Sequence, residues 1–222
     1  METPLGIFSR KTIHDINPRL AFDELMKRTR VLVIDDQSNE FPFEFLKKQG
    51  YSVDHWHDVQ DLAKLESGFF DIIVLDIGGV GAELDADKEG VAVLTHVKRV
   101  NPSQVIVAYS GQAHRSAQIP FFKLADQYVP KPATAIMWKE TIDELIKNTM
   151  STGHYWGGLR QLLEQDGVAR VKIEKLEREL IRAIRKKAPD VQDRIKRILG
   201  PTENIVSIIS IVAKIGRIAA MT

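Results

Sequence analysis

The sequence lacks cysteine and any long uninterrupted hydrophobic run. None of its 222 residues is a cysteine, which excludes a disulfide framework and thiolate chemistry. The longest apolar stretch lies near the carboxyl terminus and is interrupted by Ser207, Ser210, Lys214 and Arg217, so it does not have the pattern of a transmembrane helix. Residues 1–20 contain no continuous apolar segment of the kind found in secretory signals. We therefore expect a soluble, cytoplasmic protein.

The chain also has little net charge, but its two parts differ in sign. From Ser151 onward, 14 Lys and Arg stand against 8 Asp and Glu, a net charge of +6. The preceding residues carry 17 basic against 22 acidic side chains, a net charge of −5. Such a split indicates two modules. We expect an amino-terminal extension over residues 1–29, an α/β domain over residues 30–150, and a helical region for output or dimerisation over residues 151–222.

Short apolar segments that favour β-strands alternate with helical patterns along residues 30–150. This alternation is typical of a parallel sheet with helices on both faces. The continuous apolar character of the first, third and fourth strands predicts that both of their faces are buried. The predicted strands are 31–35, 51–56, 71–77, 104–110 and 127–130. The helical patterns between them are FEFLKKQG, DLAKLESG, EGVAVLTHVKRVNP and a segment around Phe121 to Leu124.

Acidic, hydroxyl and basic residues lie at the ends of these strands. They are Asp35 and Asp36 after strand one, Asp76 at strand three, Ser110 at strand four and Lys131 after strand five. Ligands of doubly wound sheets bind at the carboxyl ends of the strands. Three clustered carboxylates cannot all stay ionised without compensation, which a hard divalent cation such as Mg²⁺ would supply. A single aspartate at a strand end is about as often a helix N-cap, so the ordered set carries the prediction.

This set resembles the receiver domain of two-component response regulators. The matching residues are the pair Asp35-Asp36, Asp76 in VLDI, Ser110 in AYSG, Tyr128, and Lys131 in VPKP. The resemblance covers residues 30–150, about half of the chain. It implies a flavodoxin-like, doubly wound, five-stranded parallel sheet, here with a carboxyl-terminal α-helical extension. It also implies a phosphorelay protein that takes a phosphoryl group from a sensor histidine kinase or phosphotransfer protein.

The resemblance implies a role for each matched residue. Asp76 would be the phosphoacceptor, since an ionised carboxylate can attack phosphorus directly. Asp36 and Asp76 would bind Mg²⁺ directly, together with the backbone carbonyl of Gly78, and Asp35 would act through a bound water. Lys131 would offer its compact cation to a phosphoryl oxygen.

Ser110 and Tyr128 would form the switch. Ser110 would donate a hydrogen bond to the phosphoryl group, and Tyr128 would rotate into the space that this movement vacates. The chain would then catalyse its own phosphorylation and dephosphorylation, and we expect no separate enzymatic output. We also expect the Lys131–Pro132 peptide bond to be cis, because Lys131 must reach back toward Asp76 while the chain turns at once into the next helix.

The segment after the acceptor departs from the receiver pattern. It reads DIGGVGAELDADKEG, without the usual proline, with three early glycines and with several extra residues. We expect a longer, mobile and acidic loop, which either modulates access to Asp76 or is a tolerated surface insertion. The second interpretation is slightly favoured, because loops absorb insertions cheaply. Asp85, Asp87 and Glu89 alternate as in a calcium loop, but the required spacing and the closing glutamate are absent.

Residues 151–222 are predicted to be helical after a hinge at STGHYWGG, whose glycines disfavour a helix around His154. The pattern is helical from Leu159, with an apolar stripe from Leu162 to Ile184, and VQDRIKRIL and TENIVSIISIVAKIGRIAAM follow. The last segment is apolar around most of its circumference, so it must pack in a bundle, on a partner chain or on a membrane.

A homodimer through these helices is the favoured arrangement, with signalling by protein–protein contacts. The alternative is a transcriptional regulator that binds DNA phosphates through basic helix faces, although such faces are more often simply solvated. A scaffold that is never phosphorylated is a third hypothesis, against which the complete acidic set argues.

Overall fold

A computed structural model describes residues 12–16, 18–37, 40–111, 123–188 and 190–221. Its centre is a five-stranded, entirely parallel sheet in the order β2-β1-β3-β4-β5. This order is that of the flavodoxin-like doubly wound fold, so the predicted fold class is confirmed. The strands are β1 (Arg30–Ile34), β2 (Ser52–Trp56), β3 (Ile72–Asp76), β4 (Val105–Ser110) and β5 (Gln127–Pro130).

The described residues also contain a short 3₁₀-helix over Ile13–Asp15 and a set of α-helices. The α-helices are α1 (Phe22–Arg28), α2 (Phe43–Lys48), α3 (Leu62–Glu66), α4 (Gly90–Val100), α5 (Ala135–Thr149), α6 (Thr152–Gln165), α7 (Arg170–Lys186), α8 (Val191–Leu199) and α9 (Ile205–Ala219). The helix predicted around Phe121 falls largely outside the described residues. None of the helices in the described part of the chain is long and apolar enough to cross a bilayer.

Both faces of the sheet are covered, as the apolar strands predicted. Successive residues of a strand point to opposite faces. In β1, Val31 and Val33 join the apolar cluster of the first face, while Leu32 and Ile34 join the apolar cluster of the second face. Helices α3 and α4 cover the second face. The first face is covered by α1, α2 and α5, and its cluster continues without a break into α6, α7, α8 and α9. The carboxyl-terminal helices therefore share a core with the sheet.

The predicted hinge at STGHYWGG is wrong, because this segment is the first half of α6. The Ser151 side chain caps the helix by accepting a hydrogen bond from the backbone nitrogen of His154 at 3.1 Å. Tyr155 and Trp156 are buried in the shared core. Gly158 lets α6 approach the turn before β4 closely, since a Cβ built there would lie 2.5 Å from the backbone nitrogen of Ser103. Packing thus outweighs the low helix propensity of the glycines.

The last helix, α9, was predicted correctly, and its apolar surface has a partner within the chain. Ile208, Ile211, Ile215 and Ile218 are buried in the cluster that includes α6, α7 and α8. Of the bundle, partner chain and membrane that this wide apolar face allowed, the bundle within the chain accounts for most of it. The stripe predicted from Leu162 to Ile184 is broken by a turn at Gly167 (φ 69°), which separates α6 from α7.

Candidate functional site

Asp76 is the last residue of β3 and lies at the carboxyl edge of the sheet. Its residue surface is 6% exposed, and in the sheet register it pairs with Tyr109 of β4. One carboxylate oxygen, Oδ1, accepts a hydrogen bond from the backbone nitrogen of Gly78 at 3.1 Å. The carboxylate is thus nearly enclosed and held in one orientation by the chain that follows it.

Asp35 and Asp36 bring two more carboxylates to the same edge from β1. Asp35 is fully buried, and its Oδ1 accepts a hydrogen bond from the backbone nitrogen of Gln37 at 2.8 Å. Asp36 is only partly buried. Each of these two residues and Asp76 offers an oxygen, and the three oxygens lie within 4.8 Å of one another.

This donor set fits a hard divalent cation. Mg²⁺ is bound in proteins through a small number of carboxylate oxygens together with waters or phosphate oxygens. The partial exposure of Asp36 leaves one side of the cluster open to solvent, so an ion could reach it. The convergence predicted from the strand ends is therefore what the structure shows.

Lys131, which follows β5, closes the cluster on the other side. Its Nζ lies 2.5 Å from Oδ2 of Asp76 and 3.2 Å from Oδ2 of Asp35. The same ammonium lies 4.6 Å from the centre of the Tyr109 ring, a favourable cation–π position. The Lys131–Pro132 peptide bond is cis, as predicted.

Burial and charge act in opposite directions on the two central groups. Burial raises the pKa of Asp76, and the hydrogen bonds from Lys131 and Gly78 offset this only in part. Burial also favours the neutral amine of Lys131, but its hydrogen bond to Asp76 and the charges of Asp76 and Asp35 outweigh this and hold its pKa above the usual range. Lys131 is therefore a fixed positive charge beside the carboxylates.

Ser110 ends β4, the strand next to β3, and Tyr128 lies within β5. Ser110 is buried and pairs in register with Pro130, the residue before Lys131. The hydroxyl of Tyr128 donates to the backbone oxygen of Ser110 at 2.9 Å, and its ring packs against the second apolar cluster. The two predicted switch residues are thus in direct contact, and Ser110 lies on the strand end next to that of Asp76.

The loop after β3 is folded back on itself. Its backbone forms turns in which Leu84 and Asp85 donate to the carbonyl of Gly81. The Asp85 carboxylate accepts from the backbone nitrogens of Asp87 and Lys88 at 3.1 and 3.0 Å. Asp85 therefore stabilises the local turn through its side chain, which explains its place in the acidic pattern without a calcium ion.

Three contributions to the site were missed at the level of sequence. Tyr109 provides the aromatic ring beside the ammonium of Lys131, and His55 approaches the backbone oxygen of Asp35 with its Nε2 at 2.9 Å. Glu89 reaches the backbone of Gly79 from the far end of the loop. Tyr109 adjoins Ser110 in the AYSG motif, which was a usable signal, whereas the contacts of His55 and Glu89 depend on the folded path of the chain.

The known proteins to which this chain is similar were found among solved structures. No protein-family model matches the sequence, and no curated protein sequence is detectably similar to it. A CheY-like response regulator receiver domain protein from Methanospirillum hungatei is 24% identical, with a TM-score of 0.46, over 55% of this chain and 95% of that one. The receiver domain of NtrX from Brucella abortus is 20% identical, with a TM-score of 0.45, over 53% and 98% of the two chains.

A two-component response regulator from Clostridium difficile is 19% identical, with a TM-score of 0.43, over 54% of this chain and 97% of that one. Two of these structures are receiver domains and the third is a response regulator, the kind of protein whose receiver domain the sequence resembles. The assignment of the receiver-type fold rests on the strand order of this structure itself. The comparisons assign no role to any residue of the acidic site.

Proposed function

We propose that the protein is a phosphorylation-switched response regulator that accepts a phosphoryl group on Asp76. The observation that carries this proposal is the meeting of Asp35, Asp36, Asp76 and Lys131 at one edge of the sheet. Three carboxylates with one ammonium make a site for a cation and a phosphoryl group rather than for a neutral substrate. The donor would be a histidine kinase or a phosphotransfer protein.

The chemistry is a displacement at phosphorus. A carboxylate oxygen of Asp76 attacks the phosphorus of a phosphohistidine, the P–N bond breaks, and its electron pair stays on the imidazole of the donor. Asp36, Asp76 and the carbonyl of Gly78 would hold Mg²⁺, which supplies positive charge for the phosphoryl oxygens when it is bound. Lys131 keeps its proton and supplies a second positive charge on the opposite side.

Ser110 and Tyr128 are proposed to report the phosphorylated state. Ser110 lies on the strand end next to that of Asp76, and Tyr128 is hydrogen-bonded to its backbone. Movement of Ser110, with its backbone, toward a phosphoryl group would disturb that hydrogen bond and release the tyrosine ring. A single covalent group would then bias a two-state element.

The output is proposed to be protein–protein contact through the outer faces of α7, α8 and α9. Basic residues on these faces form local ion pairs, such as Arg182 with Glu179 and Arg194 with Asp190, which is the pattern of a solvated helix surface. No observation favours a DNA-binding output over this one.

The proposed homodimer has less support than the sequence suggested, because α9 buries most of its apolar face inside the chain. Light scattering on the purified protein measures its oligomeric state directly.

Incubation with acetyl phosphate tests the function as a whole. We expect the addition of one phosphoryl group in the presence of Mg²⁺, measured by intact mass. Chelation of the metal should abolish the addition, and Asp76→Asn should abolish it with the metal present. Labelling of the Asn variant at the rate of the wild type would refute the assignment of the acceptor.

A further inference from the structure

The β3–α4 loop returns to the point where it begins. Asp76 ends β3, and Gly90 opens α4 after a loop of 13 residues, 77–89. A Cβ built on Gly90 would overlap the backbone oxygen of Asp76. Only glycine fits such a close approach, so the end of the loop is pressed against the acceptor's own backbone. The residue just before Gly90 is Glu89, which brings a fourth carboxylate toward the site.

Glu89 ties the two ends of the loop together through its side chain. Its Oε2 accepts a hydrogen bond from the backbone nitrogen of Gly79 at 3.0 Å. Gly79 in turn lies tightly against Asp36, since a Cβ built on Gly79 would lie 2.7 Å from Oδ2 of Asp36. The carboxylate of Glu89 thus fastens the Gly78–Gly79 backbone across one side of the acidic cluster. It is not itself one of the three converging carboxylates.

The backbone of Glu89 is strained in a way that a glycine would relieve. Its φ is 47° and its ψ is −128°, a region that residues with a side chain rarely adopt. Its backbone nitrogen donates to the carbonyl of Asp85 at 2.7 Å, which holds it in this conformation. Observed strain of this kind is concentrated at functional sites. A glutamate in this backbone conformation makes the folded protein less stable than a glycine would. This cost indicates that the side chain of Glu89 has a role that glycine cannot fill.

We propose that Glu89 is a positioning residue for the divalent cation of this site. It acts through Gly79 by holding the backbone that carries the Gly78 carbonyl beside Asp36, where the proposed function requires a third protein ligand. The proposal therefore rests on the proposed function. Residues that orient metal ligands commonly change metal affinity by 10- to 100-fold when they are replaced.

Calorimetric titration of the unphosphorylated full chain with Mg²⁺ tests this role without any turnover. Glu89→Gly removes both the strain and the hydrogen bond, so we expect a higher melting temperature without metal and an affinity for Mg²⁺ that is about tenfold lower. Glu89→Gln retains an oxygen that can accept from Gly79 and should keep most of the affinity. Glu83→Gln removes the same charge from an exposed position of the same loop and is the matched control, with unchanged affinity.

The outcomes separate this inference from the proposed function. If the wild type binds Mg²⁺ and Glu89→Gly binds it equally well, the role of Glu89 is refuted while the function stands. If Glu89→Gln is as weak as Glu89→Gly, Glu89 acts by its charge rather than through Gly79, which also contradicts the proposal. If the wild type does not bind Mg²⁺, the metal-dependent function fails, and the role of Glu89 fails with it.

Discussion

The buried ammonium of Lys214 lies 2.5 Å from the carboxylate of Asp71, and this ion pair joins the last helix to the sheet. Asp71 immediately precedes β3, so the contact lies at the edge of the sheet opposite Asp76. Lys214 also donates to the backbone oxygen of Gly68 at 2.7 Å, and Arg217 forms a second ion pair with Asp71. The acidic site and the ion pair that attaches α9 therefore lie at opposite ends of β3.

The buried position of Lys214 should make stability depend on pH in the alkaline range. Burial lowers its pKa to about 8 despite the charge of Asp71, whereas an unfolded lysine titrates near pH 10.4. Between these values the unfolded chain binds more protons than the folded one, so the contribution of Lys214 to stability rises as the pH rises from about 8 to about 10.

Urea unfolding of the wild type and of Lys214→Met at several pH values measures this contribution. Tyr155, which is buried with a raised pKa, gives an opposite pH dependence near and above pH 10 in both proteins. The difference in unfolding free energy should therefore shift in favour of the wild type as the pH rises. Parallel curves for the two proteins would show that Lys214 does not titrate in this range.

Two neighbouring glycines of α6 should respond in opposite ways to the same substitution. A Cβ at Gly157 meets nothing within 4 Å, whereas a Cβ at Gly158 meets the Cβ and backbone nitrogen of Ser103 at 2.5 Å. Gly157→Ala should stabilise the protein by about 1 kcal/mol through helix propensity. Gly158→Ala should destabilise it by about 1–3 kcal/mol through overpacking. Chemical denaturation distinguishes the two, and a stable Gly158→Ala variant would show that α6 does not pack on this turn.

Asp36 should be required for the metal but not for the fold. It carries a charge into a cluster of like charges, and it is the most exposed of the three carboxylates. Asp36→Ala relieves repulsion, so we expect unchanged or slightly higher stability without metal, together with loss of Mg²⁺ binding. Circular dichroism melting and calorimetry give the two values. A sharp fall in melting temperature would assign a structural role to Asp36 instead.

Lys131 should contribute stability that a cation can partly replace. It is the ammonium that neutralises Asp35 and Asp76, both of which are nearly inaccessible to solvent. Removing one partner of a buried ion pair typically destabilises a protein by about 3–5 kcal/mol, so Lys131→Met should be destabilised by about 3 kcal/mol in metal-free buffer. Mg²⁺ should stabilise this variant by more than it stabilises the wild type. An equal effect of the metal on both proteins would contradict the shared role.

The sheet and the acidic cluster were predictable because both follow from short-range features of the sequence. Apolar runs such as VLVI and IIVL predict strands buried on both faces, and the polar residues that end them meet at one edge by the geometry of a parallel sheet. For this reason Asp35, Asp36, Asp76 and Lys131 could be placed together before their contacts were known.

The features that were missed depend on tertiary packing. The glycines around His154 lower the helix propensity of that segment, but Tyr155 and Trp156 are buried in a core that the local sequence does not show. Glu89 reaches Gly79 across ten positions of an irregular loop, and no periodicity connects them. Lys214 interrupts an apolar helix and looks like a solvent-facing residue until Asp71 is placed beside it.

Locating the phosphoryl group on the chain tests most directly whether Asp76 is the phosphoacceptor. The protein is incubated with acetyl phosphate and Mg²⁺, the acyl phosphate is reduced with borohydride, and the modified residue is identified by peptide mass spectrometry. We expect reduction at Asp76, with Asp35 and Asp36 unmodified and no labelling when the metal is chelated. Reduction at another residue, or none under conditions in which Mg²⁺ binds, would contradict the claim that Asp76 is the phosphoacceptor.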